Sequence, residues 1–257
     1  MVFYFRYLSP LLLAALAAGC GGNVPVLMYH SVGPGTDPLG VSEAELDAHL
    51  GYLQQAGFQA ISLGEMLDHL QGHGAMPANP IVLTFDDGTA DAIERALPLL
   101  KKHGHRATFF IVAGFTAPDG APRHVEQSKQ GPRSYLTWPE VRALRDAGME
   151  IGSHSVSHPR LSSLPKAQVR NEIFESKNML ERGLGQPIEF FAYPFTARRK
   201  DTAAQVRAAG YRGAVSGIKG SNDPNDLQRL VIHRGISADQ LKALLSTDWA
   251  SSYTTGN

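Results

Sequence analysis

Two short segments hold the side chains best able to do chemistry in this chain of 257 residues. Thr84-Phe85-Asp86-Asp87-Gly88 sets two adjacent carboxylates at the end of an apolar run, with a glycine that permits a sharp exit. Consecutive strand side chains point to opposite faces, so the pair takes different roles unless the backbone turns. One can bind a metal while the other handles a proton; the plain alternative is an Asp-Asp-Gly turn capping the next helix. His154-Ser155-Val156-Ser157-His158-Pro159 supplies two imidazoles four residues apart. On a helical turn such positions share a face and can reach one ion, although the proline and the preceding strand favour a loop or a single turn. The alternative here is a pair of surface histidines in a serine-rich loop. Joined by an Asp from another strand end, the two histidines form a two-imidazole, one-carboxylate set with open positions, as a catalytic divalent metal requires.

The elements that must position these groups alternate between strand and helix. Val24–Tyr29, Ile81–Phe85, Ala107–Val112, Ile151–Ser153, Glu189–Tyr193, Tyr211–Val215 and Leu230–His233 are strand candidates. Helices are expected from the Ser42-Glu43-Ala44-Glu45 capping box to Gly57, from about Ala90 to His103, and from the Thr137/Glu140 cap to Gly148. Further helices are expected from Pro165 to about Arg182, closed by Gly183, and over Thr202–Ala209 and Ala238–Leu245. This order points to one α/β domain over residues 24–246, either a parallel β/α barrel or an open doubly wound sheet. His30, Asp86-Asp87, His154 and Pro194-Phe195 each follow a predicted strand, on the face where such folds build active sites. The long segment Gly114–Tyr135 is either an insertion or a wall of the substrate site. His49, His69, His73, His103, His105 and His124 fall on predicted helix surfaces, turns or loops and are expected to be solvated.

Composition narrows the class. Hydrophobic residues make up 43% and charged residues 19%, enough to bury a core. Lys plus Arg and Asp plus Glu number 24 each, without the basic excess of a nucleic-acid binder. Neither a GxGxxG nor a P-loop pattern occurs, so no nucleotide cofactor is expected. The single cysteine, Cys20, excludes an internal disulfide framework. Residues 1–19 carry Arg6 and a short apolar stretch ending in small residues, the layout of an export signal. Leu16-Ala17-Ala18-Gly19-Cys20 is similar to a bacterial lipobox, which implies a lipidated Cys20, a tether over residues 20–23 and anchorage to a bacterial membrane on its periplasmic or outer side. Residues 247–257 are expected to be a frayed polar tail.

The TFDDG and HSVSHP segments, in that order, resemble the polysaccharide deacetylase family: carbohydrate esterase family four, or the NodB-homology domain. Thr137-Trp138-Pro139-Glu140 through Gly152 is similar to the helix and strand leading into the family's second motif, and the likeness runs from about Val24 to Ile236. It implies a distorted (β/α)7 barrel, Asp86 as general base, and Asp87, His154 and His158 as metal ligands. Zn2+ is the expected ion, with Co2+, Ni2+ or Fe2+ able to serve. Phe191-Ala192-Tyr193-Pro194-Phe195 resembles the groove-wall motif, which implies that Tyr193, Pro194 and Phe195 line the groove and that the Phe195 N–H helps form the oxyanion hole. Ala192 and Thr196 stand where the family often has an arginine and a glycine, and the missing arginine leaves the tuning of the base open. The family's Asp-Trp motif is not recognisable within the barrel; Asp248 and Trp249 lie in the tail.

Met28-Tyr29-His30-Ser31-Val32 is similar to the start of exported members that de-N-acetylate poly-β-1,6-N-acetylglucosamine. This makes His30 the expected general acid over its rival His233. The implied substrate is an N-acetylated polysaccharide outside the cytoplasm. An O-acetyl esterase acting on xylan-like glycans and a catalytically silent glycan-binding lipoprotein are the other readings, the second disfavoured because pure binding needs no base such as Asp86.

Overall fold

The computed structural model describes residues 24–128, 131–217 and 223–246. The expected export signal, Cys20, the tether and the 247–257 tail lie outside these residues. The chain runs through β1 (Val26–Tyr29), α1 (Glu43–Gln55), β2 (Gln59–Ile61), α2 (Leu63–Leu70), β3 (Pro80–Phe85), α3 (Leu97–Lys102) and β4 (Thr108–Ile111). A hairpin of β5 (Val125–Ser128) and β6 (Gly131–Ser134) follows, then α4 (Trp138–Asp146), β7 (Glu150–Ser153), α5 (Lys166–Leu184) and β8 (Phe190–Ala192). The last elements are α6 (Thr202–Ala208), β9 (Gly213–Val215), β10 (Leu230–Val231) and α7 (Ala238–Ser246). No helix among the described residues is long and apolar enough to cross a membrane.

Seven parallel strands in the order β10-β1-β3-β4-β7-β8-β9 curl into an open barrel with helices outside. The eighth, β2, pairs with the lower half of β3, below the point where β4 takes over that edge. A bridge between Val215 and Leu227 brings the chain leaving β9 toward β10 and narrows the open side. Strand alternation divides the apolar residues into two cores. Leu27, Tyr29, Leu83, Phe85, Phe109 and Ile151 pack outward under the helices. Val26, Val82, Phe110, Phe190, Ala192 and Val215 face the barrel interior, plugged from below by Leu63, Met66 and Leu67 of α2. Both faces are therefore covered, which is why these strands read as continuous apolar runs.

The plug is held by a half-buried carboxylate. Glu150 at the start of β7 accepts the N–H groups of Leu63 and Gly64, both at 3.1 Å, at the positive end of α2, and also the Thr108 hydroxyl. Neither β2 nor α2 stood out in the sequence: three residues are too short for a period, and the Ser62/Glu65 capping box begins only an eight-residue helix.

Several expectations need correction. Gly183 does not close α5; it lies within the helix, where a Cβ would come within 2.3 Å of the Trp138 ring. The helix stops at Gly185, whose φ of 67° is the left-handed cap glycine permits. The helix expected from Ala90 to His103 is a π-helical turn, Ala92–Ala96, continued by α3. His49 and His105 are not solvated. His49 Nε2 bonds the Ile236 carbonyl at 2.8 Å beneath α7, and His105 Nε2 bonds the Leu50 carbonyl at 3.1 Å. Burial pushes both imidazoles down toward the neutral form.

Candidate active site and metal centre

Asp86 continues the inward alternation of Val82 and Thr84, so its carboxylate enters the barrel mouth from the end of β3. It is buried and meets a fully buried guanidinium: Arg229 donates Nη1 to Oδ1 and Nη2 to Oδ2, each at 2.7 Å. Arg229 is fixed in turn by the Ser216 carbonyl at 2.7 Å and the Thr84 hydroxyl at 3.0 Å. Burial alone would raise the Asp86 pKa, but the charges of Arg229 and then His154 outweigh it and hold the carboxyl below its ordinary value. Arg229 is the residue that sequence reasoning missed. It fills the role left open at Ala192 from a different part of the chain, immediately before β10. The one available signal was a cation directly preceding the apolar Leu230-Val231-Ile232 run.

At Asp87 the backbone turns. Its φ is 76°, followed by Gly88 at 70°, and this left-handed pair swings the second carboxylate into the same cleft. A non-glycine residue in that region costs about 1–2 kcal/mol, strain of the kind that collects at functional sites. Asp87 Oδ1 faces His158 Nε2 at 3.4 Å and His154 Nε2 at 3.6 Å, while Oδ2 accepts Arg133 Nη1 at 3.0 Å. Arg133 also pairs with Asp37.

The two histidines leave the end of β7 on a loop, not a helix, as the proline suggested. Ser155 and His158 have φ of 67° and 55°, and the Ser155 hydroxyl accepts the His158 N–H at 2.9 Å. His154 Nδ1 lies 2.9 Å from the Ala192 carbonyl, an arrangement that puts a proton on Nδ1 and turns Nε2 toward Asp87. Burial, then the charge of His154, pushes His158 down to about 4, which keeps its lone pair free at neutral pH. His154 shifts the other way: burial would lower its pKa, but the charge of Asp86 and then the hydrogen bond and charge of Asp87 outweigh it and raise it. Asp87, His154 and His158 offer ligand atoms within 4.8 Å of one another. The donor set thus fits a divalent metal by type, tautomer and spacing.

These groups floor a cleft of about 560 Å³. His30 lines it, and its Nδ1 is buried without a hydrogen-bond partner. His233 is exposed, bonds the Arg234 carbonyl and lies outside the cleft lining. The structure therefore brings His30, not His233, to the aspartates. In the third segment, Tyr193 is buried with its hydroxyl on the Asn225 carbonyl at 2.7 Å, and Pro194 is buried outside the lining. Phe195, 52% exposed with φ of 55°, lies at the rim with its ring centroid 4.5 Å from that of His158. The long segment after Gly114 is a wall of the site: Glu126, Arg133 and Tyr135 from its hairpin face the cleft.

An open parallel barrel carrying carboxylates and imidazoles at its C-terminal strand ends has the layout of an α/β-barrel enzyme. More particularly, the chain belongs to the polysaccharide deacetylase family, whose model matches residues 73–214. The Bacillus subtilis protein YxkH, named for the same family, is 26% identical over 229 residues, 88% of this chain and 77% of that protein. A poly-beta-1,6-N-acetyl-D-glucosamine N-deacetylase of Staphylococcus aureus strain MSSA476 is 21% identical over 214 residues, 80% of this chain and 70% of its own. Among solved structures, the Streptococcus pyogenes deacetylase PplD in complex with acetate superposes with a TM-score of 0.75 at 24% identity, covering 87% of this chain and 98% of that one. IcaB from Ammonifex degensii gives 0.73 at 24% identity over 88% and 98%. These likenesses establish the fold. The family segment includes Asp86, Asp87, His154, His158 and Phe195; His30 and Arg229 lie outside it.

Proposed function

We propose that this protein removes N-acetyl groups from an N-acetylated polysaccharide, poly-N-acetylglucosamine or a related glycan, by metal-assisted hydrolysis. The observation that carries this reading is the juxtaposition, at one cleft floor, of the Arg229-paired Asp86 and the Asp87/His154/His158 donor set. Asp87, His154 and His158 hold the metal, for which we propose Zn2+. When bound, such an ion supplies Lewis acidity toward the acetyl carbonyl and lowers the pKa of water. Asp86 takes the proton of the attacking water. Its lowered pKa keeps it ionised at neutral pH, and a carboxylate's further lone pairs remain for water while Arg229 occupies one on each oxygen. The developing oxyanion is met by the Phe195 N–H, and His30 gives a proton to the departing amine.

Turnover of defined N-acetylglucosamine oligomers, compared with O-acetylated xylan oligomers and repeated with a chelator, tests this directly. Amine release is expected with the N-acetylated substrate only, abolished by chelation and restored by Zn2+. Preference for the esters would make the protein an O-acetyl esterase, and no turnover of either would leave a glycan-binding role.

The proton donor is tested by His30→Asn and His233→Asn. His30→Asn is expected to keep the metal and lose roughly 10²–10⁴ of the rate, the usual worth of an acid catalyst, while His233→Asn stays active. The opposite pattern would move the acid to His233. The location outside the cytoplasm is a proposal from residues 1–20, supported by the lipobox-like run ending at Cys20. A Cys20→Ser chain is expected to leave the membrane fraction, and one that still sediments with membranes contradicts lipid anchorage.

A further inference from the structure

The loop bearing both candidate metal histidines is clamped from outside the cleft. Glu172, on α5, turns its carboxylate to the middle of this loop. Oε2 accepts the backbone N–H groups of Val156 and Ser157, both at 2.9 Å, and Oε1 accepts the Ser157 hydroxyl at 2.6 Å. The opposite side of the same peptides is also held. The carbonyls of Ser155 and Val156 accept the N–H groups of Ala113 and Gly114 at 3.0 and 2.8 Å. A Cβ at Gly114 would sit 2.6 Å from the Val156 oxygen, so only glycine permits this approach. Val156 and Ser157 lie between His154 and His158, and the loop adopts left-handed conformations at Ser155 and His158 that isolated residues of these types disfavour.

We propose that Glu172 is a positioning residue for the metal centre. By fixing the Val156–Ser157 peptides, it sets the separation and aim of the two Nε2 lone pairs, although it touches neither imidazole. The inference rests on the metal reading of Asp87, His154 and His158. A carboxylate suits the task because its two oxygens accept from three donors on adjacent residues at once.

The experiment measures Zn2+ affinity of the full-length chain by competition with a chromophoric chelator, alongside thermal unfolding in excess chelator. Glu172→Ala is expected to weaken Zn2+ binding by about 10–100-fold, the range for outer-shell partners of metal ligands. Glu172→Gln is expected to stay within about threefold of wild type, because its amide oxygen can take both N–H groups while its NH2 donates to the Ser157 hydroxyl. Wild-type protein that takes up no Zn2+ would defeat the metal reading itself. Zn2+ uptake by the wild type with unchanged affinity in Glu172→Ala would overturn the role of Glu172 alone, as would a lowered metal-free melting temperature with no loss of affinity. Equal weakening by Gln and Ala would show that charge rather than geometry acts, and would also overturn it. Should Glu172→Ala fail to fold, Ser157→Ala removes one contact only; a severalfold loss of affinity is expected, and none would overturn the proposal.

Discussion

Asp86→Asn is expected to lower the turnover of N-acetylated oligomers by roughly 10²–10⁴ while leaving metal content unchanged. The size follows from the loss of a proton acceptor at the moment of attack; an amide keeps the shape of the carboxylate but not its basicity. Metal content is preserved because Asp86 is not among the three clustered donors. Steady-state rates and metal analysis on the same preparation check both halves. A near-wild-type rate would place the base elsewhere, and loss of the metal would mean that Asp86 supports the centre rather than the proton transfer.

Arg229→Met is expected to have the largest effect on stability, because it leaves a buried carboxylate without its partner. Breaking one side of a buried pair typically costs about 3–5 kcal/mol. The pH dependence has a definite sign. Asp86 sits below its ordinary pKa in the folded wild type, so its contribution to stability is present above the unfolded carboxyl value and is lost as pH falls through the folded one. Removing Arg229 leaves burial as the foremost influence and moves Asp86 upward. The deficit of the variant should therefore be greatest at neutral pH and shrink as pH falls through the raised value, and the acid limb of its pH–rate profile should move to higher pH. Denaturant unfolding across pH 5–8 checks the first statement and kcat/KM over the same range the second. The double variant Asp86→Asn/Arg229→Met should recover part of the lost stability, since neither charge then remains buried. A deficit independent of pH in the single variant would show that packing, not charge, is what Arg229 supplies.

Position in the chain explains what could be read beforehand. The Thr137/Glu140 cap is present as expected, because capping is settled within four residues. Gly183 and Gly185 show the limit: both satisfy a local rule for ending a helix, and only the Trp138 ring, packed from α4, decides which one stays inside. His49 and His105 looked solvated because nothing beside them in sequence reports that α7 or the Leu50 carbonyl will cover them. At the site, Asp86, Asp87, His154 and His158 were legible because each pair is contiguous or nearly so and follows an apolar run.

By itself the sequence determined the strand and helix alternation and the strand ends that hold the two aspartates and two histidines, consequences of short-range period and spacing, while the choice of Asp87 as the third candidate metal donor came from the family resemblance. Tertiary structure alone decided that Arg229, 143 residues from Asp86, pairs with its carboxylate. It also made the hairpin after Gly114 a wall of the cleft, placed His30, already favoured by the sequence, in the cleft lining, and let Glu172 clamp the histidine loop from α5. Those relations arise where barrel curvature brings distant strand ends and a helix face together. A burial that converts a surface-looking cation into the partner of a buried carboxylate leaves no periodic trace in the chain.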